Sequence, residues 1–143
     1  MAYGSEPPRI QAHICVKGGV AAIDFYERAF GAVCTMRQLA GDGVRILHAN
    51  LELLGGEVML HDEFPEWQPD VLAPPSRGGA SMTINIHLTT PADVDAAVAR
   101  AVAAGAEVTI APGDMFWGAR YGRVRDPFGH VWAFNAPLAA QSL

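Results

Sequence analysis

Apolar and polar positions alternate along this chain with two different periods. In "AHICV" (Ala12–Val16) they alternate every second residue, the pattern of a strand with one buried face. In "AIDFYERAFGA" (Ala22–Ala32) the apolar positions return every three to four residues, which predicts an amphipathic helix. "DVDAAVARAVAAGA" (Asp93–Ala106) repeats the helical pattern and again closes on Gly-Ala, with Gly31 and Gly105 as natural helix-ending residues. Thr90, Pro91 and Asp93 supply an N-cap, a first-turn proline and a capping carboxylate for this second helix.

The two glycines stand 74 residues apart, and so do His13 in "AHICV" and His87 in "IHLTT". The Gly-led segments "GGEVMLHDE" and "FGHVWAFNA" follow at an offset of 73, from Gly56 to Gly129. Between helix and last strand, "AVCTMRQL" and "VRILHANLEL" in the first half match "EVTIAP" and "YGRVRD" in the second. The turns "GDG" (Gly41–Gly43) and "DPFG" (Asp126–Gly129) close hairpins. A fixed offset across this many landmarks means that one unit is written twice. The expected fold is α+β: two tandem β-α-β-β-β modules, about 10–63 and 81–137, joined by a Pro- and Gly-rich linker over 64–80. At 143 residues the chain is the size of a single domain.

Composition narrows the function classes. A formal charge of −5 gives no electrostatic footprint for nucleic acid or an anionic membrane. The longest weakly polar run, "AAVARAVAAGA", is interrupted by Arg100 and too short to span a bilayer. No secretory h-region opens the sequence, and two cysteines, Cys15 and Cys34, fit reduced thiols in a cytoplasmic protein.

A doubled unit with "AIDFYERAFGA" on its first helix and "WGARYGRVRDPFGHVWAFN" at its end resembles the vicinal oxygen chelate superfamily. That superfamily groups glyoxalase I, bleomycin-resistance proteins and extradiol dioxygenases, and the second motif is similar to the ending of its PhnB-like branch. The resemblance covers roughly residues 10–137. It implies sheets curved around a cleft, a small-molecule ligand and a homodimer; it does not choose between binding and catalysis.

Metal-dependent members carry His or Glu on the first and last strand of each half. Carried over by spacing, those positions are Gln11, Leu60, Asn85 and Ala133, none of them a carboxylate, imidazole or thiolate. The resemblance therefore implies a binding protein without the usual metal. Two alternatives remain open. One is a lyase, isomerase or dioxygenase using one divalent metal at a shifted site of His13, His87 and Asp62. The other is a metal-free enzyme using His13 or His87 as acid or base. Expected ligand-binding residues are His13, Asp62, Asn85, His87 and Asn135 from the strands and Trp117, Arg120 and Tyr121 from the "WGARYG" segment. Trp117 and Arg120 are expected to form one cavity wall, opposite His13 and His87. His48, Asn50 and Glu52 share a face that is cavity or solvent. His61 is expected to be external or packed, and Arg123 solvated.

Overall fold

The computed structural model describes residue 4 and residues 6–139. The first module comprises β1 (Ala12–Val16), α1 (Gly19–Phe30), β2 (Val33–Leu39), β3 (Ile46–Leu53) and β4 (Gly56–Asp62). After a short α2 (Pro74–Arg77), the second repeats the order with β5 (Thr83–His87), α3 (Pro91–Ala104), β6 (Glu107–Asp114), β7 (Ala119–Arg125) and β8 (Val131–Pro137). Each module folds into its own four-stranded mixed sheet, β1-β4-β3-β2 and β5-β8-β7-β6. The first and last strands of each module pair in parallel and the rest antiparallel. This follows from the helix in the first connection, since only a crossover of that length can bring the chain back parallel to its first strand. The architecture is the expected α+β duplication, with the two sheets left open and not joined into one closed barrel.

Both helices end as their glycines predict, Gly31 at φ 69° and Gly105 at φ 124°. At the start of α3 the capping box is complete: Asp93 N–H donates to Thr90 Oγ1 and Thr90 N–H to Asp93 Oδ2. The helix claims Thr90 for this cap, and the strand before it accordingly runs over Thr83–His87, three residues earlier than "IHLTT" suggests. The start of α1 has no cap of its own. Asp62, at the end of β4, accepts hydrogen bonds from the backbone N–H of Gly18, Gly19 and Ile46 at 2.7–3.0 Å. A carboxylate at a helix N-terminus neutralises orphan donors and favours the helix dipole, so the helix begins at Gly19, ahead of its apolar pattern.

The modules share one core. Phe30 of α1 lies 4.7 Å, ring centre to ring centre, from Trp132 of β8, and Tyr26 lies 5.4 Å from the same indole. Asp126, buried at the "DPFG" turn, fastens this seam. Its carboxylate accepts from Tyr26 Oη at 2.5 Å, Trp132 Nε1 at 2.8 Å, and the backbone N–H of Phe128 and His130. The connecting segment is packed as well. Phe64 and Ala73 are buried, and Glu63 accepts from Ala73 N–H and pairs with Lys17, which straps the segment back onto the first module.

Candidate functional site

The helices cover one face of each sheet, and strand alternation sends every second side chain to the other, open face. On the first sheet the covered face holds Ile14, Val16, Val58, Leu60, Ala49 and Leu51, all buried. The open face brings three imidazoles together: the His13 ring lies 4.7 Å from His61 and 5.3 Å from His48, edge to face in both cases. His61 Nδ1 donates to the Asp62 carbonyl at 2.7 Å, because a carbonyl only accepts. His48 Nε2 pairs with Asn50 Oδ1 at 2.8 Å. Partial desolvation, then the proximity of His61 and His48, holds the His13 pKa below the ordinary imidazole value, so this ring is a free base at neutral pH.

The open face of the second sheet is built differently. Asn135 Nδ2 donates to Asn85 Oδ1 at 2.8 Å, and Asn85 Nδ2 lies 3.2 Å from His87 Nε2, a polar chain across β8 and β5. Tyr121 is in register with Asn135, and Arg123 with Ala133. Arg123 donates to the Tyr121 hydroxyl at 2.8 and 3.1 Å and lies 5.6 Å from the centre of its ring. Trp117 meets Tyr121 edge to face at 5.7 Å while remaining 53 % exposed. Trp117, Tyr121 and Arg123 thus form one aromatic and cationic row beside the Asn85–His87–Asn135 chain. These side chains stay accessible because no helix covers this face.

Three expectations from the sequence change here. Asp62 does not face a cavity: it is 3 % exposed and turned to the helix side, where its oxygens are taken by backbone donors. Arg120 does not stand in a wall with Trp117. One residue before Tyr121 on β7, it points to the α3 side, where Asp95 holds it at 2.9 Å and Asp114 at 2.8 Å. His13 and His87 belong to separate sheets, His13 meeting His48 and His61 while His87 meets Asn85.

The four metal positions expected from spacing do not share one face either. An offset of 73 equates Leu60 with Ala133, yet Leu60 lies under α1 while Ala133 sits on the open face between Asn85 and Arg123. His13 pairs with Met59 and His87 with Asn135, so β4 and β8 are related by 76 residues, and with a period of two an odd error in the offset exchanges the faces. The open-face positions of β4 are Glu57, Met59 and His61, which makes His61 a neighbour of His13. Arg123, which as a basic residue on a strand reads as solvated, joins the aromatic row instead. Its signal was the spacing of two from Tyr121. By strand pairing the counterpart of Ala133, which faces Asn85, is Glu57, which faces Gln11 and is bonded to it at 2.6 Å; one carboxylate with two amides and an alanine is not a donor set that fits a transition metal. Among the described residues no group of three or more His, Cys, Asp or Glu side chains is arranged to hold one.

Comparison with known proteins agrees with this geometry. The family model of the glyoxalase/bleomycin resistance protein/dioxygenase superfamily matches residues 10–134. An uncharacterised protein of Mycobacterium bovis is 42 % identical over 132 residues, covering 92 % of this chain and 84 % of its own. Among solved structures, TioX from Micromonospora sp. ML1 is 28 % identical with a TM-score of 0.66, over 95 % of this chain and 99 % of that one. A PhnB protein from Bacillus cereus shares the fold at a TM-score of 0.65, with 18 % identity over 92 % of this chain and all of its own.

Proposed function

Because this chain belongs to the glyoxalase/bleomycin resistance protein/dioxygenase superfamily, we propose that it is a small-molecule-binding member that works without the usual metal, its ligand lying on the open face of the second sheet. The observation that carries this reading is the row Trp117–Tyr121–Arg123 beside the hydrogen-bonded Asn85, His87 and Asn135. An indole and a phenol give a stacking surface, a guanidinium gives a fixed charge, and the amides set orientation, the usual division of labour in a small-molecule site. The ligand class that fits is a planar aromatic molecule bearing an acidic group.

The chain in this reading is a cytoplasmic homodimer. Open sheet faces and free strand edges are surfaces that a second copy covers, and members of the superfamily generally pair. Among the described residues no helix is long and apolar enough to cross a membrane.

The test is quenching of tryptophan emission by salicylate, a planar aromatic acid. Saturable quenching that Trp117→Phe removes, together with an Arg123→Ala affinity loss of about 1.5–3 kcal/mol, is the expected result. Affinity unchanged in both variants overturns the reading. A second reading, metal-free acid–base catalysis, is favoured by the free-base state of His13. It requires turnover that His13→Gln abolishes while Arg123-dependent binding persists.

A further inference from the structure

Apart from the open sheet faces, a cavity of about 560 Å³ lies where the two modules meet. One side is the edge strand β1, contributing His13 and Cys15; the other is the connecting segment, with Asp70, Arg77 and the backbone of Gly78–Ser81; His130 of the "DPFGH" turn closes the gap. Val71, Leu72 and Met82 supply apolar wall. The volume falls within the range of small-molecule sites.

Its charges are not spent on the fold. Arg77 donates to the Pro69 carbonyl at 2.9 Å and has no carboxylate partner among the described residues, unlike Arg28, Arg45, Arg120 and Arg125. His130 Nε2 donates to the Cys15 carbonyl at 2.7 Å, which leaves Nδ1 as the uncommitted nitrogen of that ring. Covalent chemistry at Cys15 does not fit. The thiol is buried and donates to the Val71 carbonyl, and desolvation, then the charges of Glu63 and Asp62, push its pKa up to about 11.

We propose that this cavity is a second binding site, one that takes a small aliphatic carboxylate. Arg77 holds the carboxylate, His130 lines the site beside it, and the apolar wall takes the hydrocarbon body. Asp70 repels a dianion and so restricts the site to ligands with a single negative charge. The site is separate from the aromatic row of the second sheet, and either can exist without the other.

Cyclohexanecarboxylate and its neutral amide, titrated into the full chain, separate the possibilities, because neither ring can stack on Trp117. The acid is expected to bind saturably at least tenfold more tightly than the amide and to shift the ring-proton resonances of His130 and His13. Arg77→Gln should cost at least tenfold in affinity, Arg77→Lys should recover part of it, and Arg123→Ala should change nothing. Equal binding of acid and amide overturns the proposal, as does full affinity in Arg77→Gln. Loss of binding in Arg123→Ala with none in Arg77→Gln assigns the acid to the second sheet and likewise overturns it.

Discussion

Asp126 illustrates how much a single side chain can do that its local sequence does not announce. Within "DPFG" it reads as a turn residue, and it does bond the N–H of Phe128 and His130. Its other oxygen is occupied by the Tyr26 hydroxyl, one hundred residues earlier, and by the Trp132 indole. Burial, then the adjacent Asp126 charge, raises the Tyr26 pKa well above that of a free phenol, so the hydroxyl stays protonated and donates. Asp126→Ala leaves two buried donors unpaired at about 1–3 kcal/mol each. A stability loss of about 3 kcal/mol or more is expected in urea denaturation, with an unchanged m-value. A loss below about 1 kcal/mol would mean that water replaces the carboxylate. Arg120 teaches the converse lesson. Adjacent to Tyr121 in sequence, it is on the other side of the sheet, so Arg120→Ala should leave ligand affinity intact.

At the scale of elements, helix periodicity and cap residues placed α1 and α3 within a few residues, because those signals are local. The junction between α1 and β4 is not local. Gly19 enters the helix beneath Asp62 and Ile46; a Cβ at this position would lie 2.5 Å from Asp62 Oδ2 and 2.8 Å from Ile46 Cβ. Both neighbours are fixed, Asp62 by its three backbone donors and Ile46 by full burial. Gly19→Ala should therefore destabilise by about 1–3 kcal/mol, as overpacking of a rigid site does, although alanine is the better helix former. Val20→Ala, on the exposed side of the same turn, is the control expected to stay within about 0.5 kcal/mol. Matched thermal melts decide it, and a neutral Gly19→Ala would show that the end of β4 can give way.

For the whole molecule, the uncovered faces predict association. Val33, Met36 and Leu39 on β2 and Phe116 beside Trp117 are large apolar side chains left exposed, Phe116 at 97 %. A C2 dimer covers such surface twice over with one patch. Light scattering at micromolar concentration should return twice the mass of 15.2 kDa. A monomeric mass that persists on concentration counts against the pairing.

The duplication, the two helices and their caps, and the α+β class were legible in the chain itself, because period, glycine placement and capping chemistry act over a few residues. So was the strand alternation that puts His13, Asn85, His87, Tyr121 and Asn135 on an open face. Which of them meet was decided by the tertiary structure alone. The offset between modules is 74 at His13 and His87 and 76 at their partners Met59 and Asn135, and in a strand an odd miscount exchanges cavity side and helix side. That parity puts Leu60 and Asp62 on the helix side and His61 beside His13, while alternation along β7 gives Arg120, next to Tyr121, to α3. His13 and His87 lie on different sheets, because each strand pairs within its own module.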